Sequence, residues 1–229
     1  MINKWLREHN ITILPIITLL ASFLMLVLSM LLFIELAEEI IEQEEILIDD
    51  FVYSFASKLN ETFLYDAMEW ITEIGSVWFI TVASVVVILY LLLTKKSKWY
   101  SLFFIINIVG IGLLTKIFKM LFERERPDLL EQYDGVGYSF PSGHTTGAVA
   151  FYGFVIYLIS KSEWKKRWKI TLIVLLTLLI LTIAMSRIVL SVHFFTDIVA
   201  GLLLGFSWLL INILLLRFVL FRRKNKNSI

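Results

Sequence analysis

In the stretch SRIVLSVHFFTD, residues 186–197, His193 and Asp197 stand four residues apart, and Arg187 lies just upstream. On a helix, a four-residue step puts two side chains on one face and within hydrogen-bond reach. An aspartate that accepts from Nδ1–H fixes the imidazole tautomer and leaves Nε2 unprotonated, the form in which histidine attacks an electrophile. Asp197 also opens an apolar run, where a carboxylate complements the positive end of a helix. The same residues read equally well as a structural ion cluster, because buried ion pairs perturb titration without doing chemistry.

Two further clusters precede this one. FPSGHTTG, residues 140–147, breaks one element with Pro141, Ser142 and Gly143 and leads straight into apolar chain. The unpaired N–H groups of a helix start accept phosphate. Gly143 lets a ligand approach the backbone, and His144 is of the residue type suited to passing protons near neutral pH. The alternatives are Ser142 as a plain N-cap and His144 as a hydrogen-bonded boundary histidine. KMLFERERP carries Lys119 and Arg126, seven residues apart, which is close to two turns if the helix persists. Pro127 disfavours helix at Arg126 and puts that arginine at the helix exit. Taken alone, these are bases snorkelling at a membrane boundary. Taken together, the clusters supply an anion cradle, a second histidine and a histidine oriented by a carboxylate. Phosphoryl transfer needs that division of labour: charge stabilisation, leaving-group protonation and an activated nucleophile.

The chain that must position these groups has 229 residues, is 59% hydrophobic and has a mean hydropathy of +0.82. Cysteine is absent, which excludes disulfides, thiol chemistry and cysteine-ligated metals. The histidines are His9, His144 and His193. A membrane span needs about 20 apolar residues. Six runs qualify, approximately 11–36, 72–94, 99–121, 145–160, 169–190 and 198–221. The first follows Lys4 and Arg7 but is too long for a signal peptide and has no small-residue cleavage site after it, so it is read as a retained span.

Lysine and arginine favour the cytoplasmic side of short loops. Fourteen of the 21 fall in alternate connections: Lys4 and Arg7; Lys95, Lys96 and Lys98; Lys161, Lys165, Lys166, Arg167 and Lys169; Arg222, Arg223, Lys224 and Lys226. Both termini are therefore expected in the cytoplasm, with the three clusters on the opposite side. The acidic connection 37–71 also falls on that side, and its Leu47, Phe51, Phe55 and Leu59 recur every four residues. That spacing describes an amphipathic helix lying on the outer surface. The alternative is a metal site built from its acids. The sequence thus predicts one all-α domain over 1–229, a polytopic membrane protein of six transmembrane helices with an extracytoplasmic amphipathic segment between the first two.

In order, K-x6-R-P (119–127), P-S-G-H (141–144) and S-R-x5-H-x3-D (186–197) resemble the signature motifs of the type 2 phosphatidic acid phosphatase superfamily. That family includes bacterial membrane lipid phosphatases and soluble vanadium haloperoxidases. The likeness spans about 80 residues and no motif position departs from the pattern. It implies that His193 attacks phosphorus to form a phosphohistidine, oriented by Asp197, while His144 protonates the leaving group and then activates water. Lys119, Arg126, Ser142, Gly143 and Arg187 would hold the phosphoryl oxygens. Arg124 and Lys116, off the motif, are given only a general electrostatic part.

The resemblance implies no cofactor and no metal, because the bases take the place of magnesium. The partners it implies are a lipid phosphate or pyrophosphate and the bacterial cytoplasmic membrane, not nucleic acid. Undecaprenyl pyrophosphate is the favoured substrate, since carrier recycling requires an outward-facing site; phosphatidylglycerol phosphate and phosphatidic acid stay open. The rivals are a phosphotransferase to a lipid or sugar acceptor and a non-catalytic lipid-phosphate binder or transporter.

Overall fold

The computed structural model describes residues 13–42, 46–59, 62–94, 98–127 and 137–226. Lys4, Arg7, His9, Lys95, Lys96 and the start of the first expected span lie outside them. Among the described residues the regular elements are helical: α1 Ile13–Ile41, α2 Leu47–Ala56, a 3-10 turn Ser57–Leu59, α3 Phe63–Glu73, α4 Val77–Leu93, α5 Lys98–Phe122, α6 Gly143–Ser160, α7 Lys166–Val189 and α8 Phe195–Lys226.

Among the described residues, α1, α5, α7 and α8 are each long and apolar enough to cross a membrane. The expected span 72–94 divides. The chain breaks at Ile74–Ser76, and α3 meets α4 at a bend of 44°, so the pair makes a fifth crossing only if counted as one. Gly75 permits the break to sit against α7, where a Cβ would stand 2.5 Å from Ile183 Cγ2. Ser76 then starts α4 by accepting the Phe79 N–H at 3.2 Å. The expected span 145–160 falls on α6, whose 18 residues open on Gly143, His144, Thr145 and Thr146. This polar first turn keeps α6 short of the apolar length of the other four. It is tolerated because α6 packs against α4, α5, α7 and α8 and so meets other helices rather than lipid.

The α6–α8 seam sets the register of the whole bundle. The two helices run parallel with a constant offset: Gly201 lies against Thr145, Gly205 against Val149, and Leu209 against Gly153. A Cβ at Gly201 would stand 3.0 Å from Thr145 Cβ and 3.1 Å from the Ser142 carbonyl. At Gly205 it would stand 2.9 Å from Val149 Cβ and 3.1 Å from the Thr146 carbonyl. Small residues four apart allow this close backbone approach where apolar lipid offers no hydrophobic drive to associate. Interhelical hydrogen bonds add to it: Asn107 Nδ2 donates to the Ala150 carbonyl at 2.8 Å, and Trp208 Nε1 to the Asn107 carbonyl at 2.9 Å. The hydroxyls of Thr115 and Thr146 pair at 2.9 Å.

The bundle has two unlike ends. One gathers the ends of α5 and α7 with the starts of α6 and α8. The other carries Lys98, Lys161, Lys165, Lys166, Arg167, Lys169, Arg222 and Arg223. At that second end the Arg223 guanidinium lies 5.2 Å from the Trp99 ring centre, a pairing of base and aromatic suited to a membrane–water boundary. At the first end, α2 turns Leu47 (78% exposed), Phe51 (71%) and Phe55 (61%) away from the protein. Its other face packs Val52 and Ala56 on Ala184, Ile188 and Ile198. Leu59 belongs to the 3-10 turn and is half-buried, so the amphipathic helix ends one step earlier than the four-residue spacing implied.

Overpacking a tight seam costs about 1–3 kcal/mol. Gly205→Leu should therefore lower the thermal unfolding midpoint of the detergent-solubilised protein, and an unchanged midpoint would contradict the seam.

Candidate active site

His193 is not on a helix. α7 ends at Val189, Ser191 takes a left-handed φ of 54°, and its N–H donates to the Ile188 carbonyl at 2.8 Å. This tight reversal carries the chain to α8, which begins at Phe195. Asp197, in the first turn of α8, reaches back to the residues before the helix, as an acceptor at the third helical position does in a capping box. Its Oδ2 accepts the Phe194 N–H at 2.9 Å and faces His193 Nδ1 at 3.3 Å. Both side chains are fully buried. The His193–Asp197 contact is thus a helix-start geometry rather than the shared helical face that the spacing suggested. An ionised carboxylate can only accept, so the proton between the two sits on Nδ1 and Nε2 is the basic nitrogen.

Several residues that the motifs do not contain complete this centre. Ser139 Oγ donates to Asp197 Oδ2 and lies 3.2 Å from His193 Nδ1. Arg124 Nη1 donates to Asp197 Oδ1 at 2.6 Å and to Thr196 Oγ1 at 2.8 Å. Arg124 Nη2 donates to Asp49 Oδ2 at 2.7 Å. The guanidinium also stacks 4.3 Å from the centre of the Phe194 ring. Arg124 thus has a far more specific position than general electrostatics. Asp49, from the acidic segment, is committed to Arg124 and to Thr196, whose N–H and hydroxyl it accepts at 2.9 and 2.6 Å. That leaves the metal alternative without this carboxylate.

The P-S-G-H segment stands beside the pair. The Ser142 N–H donates to the Asp197 carbonyl at 3.1 Å, joining the start of α6 to the start of α8. Ser142 is the N-cap of α6, but its side chain caps none of the helix's backbone N–H groups; its buried hydroxyl accepts instead from Thr145 Oγ1 in the first turn at 3.1 Å. A Cβ at Gly143 would meet Thr115 Cγ2 at 3.8 Å and nothing nearer, so the backbone there is open to approach. His144, half-buried, lies beside the Gly75 break, with its Cδ2 3.4 Å from the position of a Cβ there.

α5 ends at Phe122, and Glu123 adopts a left-handed φ of 47°. The helix does not persist to Arg126, so Lys119 and Arg126 are brought together by the segment after the helix and not by helical phase. Lys119 Nζ donates to the Tyr138 carbonyl at 2.7 Å. Arg126 Nε donates to the Gly137 carbonyl at 2.9 Å and Nη1 to the Val192 carbonyl at 3.1 Å, one residue from His193. The Glu123 carboxylate, hydrogen-bonded to the Tyr138 hydroxyl, pushes that phenol's pKa up. Arg187 is fully buried at the end of α7 and donates from Nη1 to Thr72 Oγ1 of α3 at 2.6 Å.

A cavity of about 870 Å³ begins at Gly143, His144, Lys119 and Tyr138 and extends between α4 and α5. Its walls are mostly apolar. Val85, Val109 and Leu113 along it are exposed on the outer face of the bundle. The polar mouth and the apolar groove are therefore one continuous space.

A sequence model of the PAP2 superfamily matches residues 100–223, the part of the chain that holds all three motif segments. The chain belongs to the PAP2 superfamily. Phosphatidylglycerophosphatase B of Bacillus subtilis is 27% identical to this PAP2 chain over 158 residues, 69% of the chain and 77% of that protein. Lipid A 1-phosphatase of Rhizobium johnstonii is 27% identical over 135 residues, 52% of the chain and 51% of that protein. The crystal structure of the transmembrane PAP2-type phosphatidylglycerolphosphate phosphatase from Bacillus subtilis superposes with a TM-score of 0.73 at 25% identity, covering 82% of this chain and 93% of that one. Aquifex aeolicus LpxE superposes with a TM-score of 0.58 at 20% identity over 74% of this chain and 97% of that one, a likeness of fold.

In this PAP2 chain, sequence reasoning missed Ser139, Asp49, Thr196 and Thr72. For Asp49 a signal existed. Asp49, Val52 and Ala56 share one helical face, opposite Leu47, Phe51 and Phe55, so this acid alone of its neighbours goes with the buried side. Ser139 and Thr72 carry no pattern of their own.

Proposed function

We propose that this chain is an integral-membrane lipid phosphatase that hydrolyses a lipid phosphate or pyrophosphate through a phosphohistidine on His193. The observation that carries the reading is the single cavity joining His144, Gly143 and Lys119 to an apolar groove open to the bilayer side of α4 and α5. A substrate that keeps its tails in hydrocarbon can reach such a site with its phosphate.

The chemistry follows from the groups in place. Asp197 holds Nδ1–H, and Nε2 of His193 attacks phosphorus while the bond to the leaving oxygen breaks. Where the leaving group is an alkoxide, protonated His144 supplies its proton. In the second half, neutral His144 takes a proton from water, the water oxygen displaces His193 from phosphorus, and inorganic phosphate departs with His193 restored. Lys119, Arg126, Arg187, Ser142 and the Gly143 backbone neutralise the equatorial oxygens. The Tyr138 and Gly137 carbonyls now occupied by Lys119 and Arg126 are neutral acceptors that a phosphate would outcompete.

Six crossings, with the site end outside and both termini inside, fit the collection of bases at the opposite end. α2 would then lie in the outer leaflet on Leu47, Phe51 and Phe55. For the lipid itself, undecaprenyl pyrophosphate stands first because carrier recycling needs an outward site. Phosphatidylglycerol phosphate stands beside it, since the relative aligned over 69% of the chain is named for it.

Purified protein in detergent should release phosphate from at least one of undecaprenyl pyrophosphate, phosphatidylglycerol phosphate and phosphatidate. His193→Ala should abolish release. His144→Ala should slow it by about 10²–10⁴-fold. Persistence in His193→Ala would remove the nucleophile, and an inert wild type on all three lipids would remove the hydrolase. Orientation has a separate test, because the chain contains no cysteine. A membrane-impermeant maleimide should label Lys58→Cys in intact spheroplasts and Glu163→Cys only after permeabilisation; the opposite pattern would invert the topology.

A further inference from the structure

We propose that Asp49 on α2 is a positioning residue for this phosphatase reaction, acting through Arg124 on Asp197. The inference rests on the hydrolytic reading above and adds a residue outside the three motifs.

Arg124 lies between two carboxylates, bonded at 2.6 Å to Asp197 and at 2.7 Å to Asp49, with side-chain exposures of 16%, 0% and 4%. A guanidinium is a rigid planar fork, so the direction of one N–H fixes the direction of the next. Asp49 pulls on Nη2 and thereby aims Nη1 at Asp197. The Asp197 carboxylate is held at both oxygens. Oδ1 belongs to Arg124, and Oδ2 belongs to His193, Ser139 and the Phe194 N–H. Rotating that carboxylate to loosen one set would break the other, so the grip on Oδ1 sets the plane in which Oδ2 faces the imidazole.

Asp49 makes a second connection to the same place. It accepts the N–H and hydroxyl of Thr196, the residue before Asp197, and so caps the start of α8 from another helix. A buried acid–base–acid cluster of this kind is poor evidence for stability, because desolvation offsets the attraction. Its worth lies in the single arrangement that it permits. Beside this cluster, Val52 and Ala56 seat α2 on Ala184, Ile188 and Ile198, while Leu47, Phe51 and Phe55 turn outward. The geometry therefore ties the orientation of the nucleophile to the docking of a surface helix.

Asp49→Asn keeps the shape and removes one of the two charges on Arg124. In detergent, kcat for lipid-phosphate hydrolysis should fall by about 10- to 100-fold, the effect of losing one charged hydrogen bond. KM should stay within about threefold, because the groups that hold phosphate are untouched. Asp49→Glu, which keeps the charge one methylene further out, should recover part of kcat at the same KM. A wild-type kcat in Asp49→Asn, or a loss carried by KM, would overturn the proposal. If Asp49→Asn does not give monodisperse protein, Asp49→Glu decides by the same criteria. Wild type and His193→Ala run alongside separate the two failures: no turnover in wild type sinks the hydrolytic reading, whereas normal turnover with an indifferent Asp49 sinks this inference alone.

Discussion

Asp197 is a fully buried carboxylate at the start of a helix that runs on into an apolar bundle, and the site is organised around meeting its charge. A charge in such surroundings is costly unless paired and hydrogen-bonded. Arg124, Ser139, the Phe194 N–H and His193 Nδ1 answer it from four directions. Those partners come from three short segments, His193 and Phe194 being neighbours, so satisfying one carboxylate draws together the exit of α5, the approach to α6 and the α7–α8 turn. The imidazole is oriented as a by-product of that satisfaction.

The helix seam makes this arrangement reproducible. Gly201 and Gly205 let α8 approach α6 until the Ser142 and Thr146 carbonyls stand within 3.1 Å of where a side chain would begin. The Ser142 N–H then meets the Asp197 carbonyl. Backbone, rather than side-chain, contact therefore fixes the distance between the start of P-S-G-H and Asp197. The polar first turn of α6 sits at the centre of the bundle, where it is shielded by neighbouring helices and opens onto a groove. A bundle of this design can keep a polar mouth of Gly143, His144 and Lys119 at one end while its outward-facing helices stay apolar.

The long apolar helices were legible in the sequence because runs of leucine, isoleucine and valine announce themselves, and α5, α7 and α8 fall within a few residues of where those runs lie. The break at Ile74–Ser76 was not legible, since Gly75 and Ser76 interrupt the apolar run too briefly to outweigh it. Lys119 and Arg126 were singled out, and Pro127 already put Arg126 at a helix exit, but the sequence did not show that the helix stops as early as Phe122. Composition cannot foretell the left-handed residue that ends it. His193 and Asp197 were paired for a helical reason and meet for a helix-capping one. Asp49 could be set apart from its acidic neighbours by its place on the buried face of α2, but its facing partner, Arg124, lies 75 residues away and no spacing points to it. Contacts between distant segments are the part of a site that spacing along the chain cannot express.

The central claim is that buried partners orient His193 to take the phosphoryl group itself. Rapid acid–base quench of the protein with a ³²P-labelled lipid pyrophosphate tests it most directly. In His144→Ala the leaving lipid phosphate needs no proton but water activation is impaired, so protein-bound label should accumulate. The account predicts that this label is acid-labile and base-stable, maps to His193 and vanishes in the His193→Ala, His144→Ala double variant. Turnover with no protein-bound phosphate, or label on a serine or carboxylate, would contradict it.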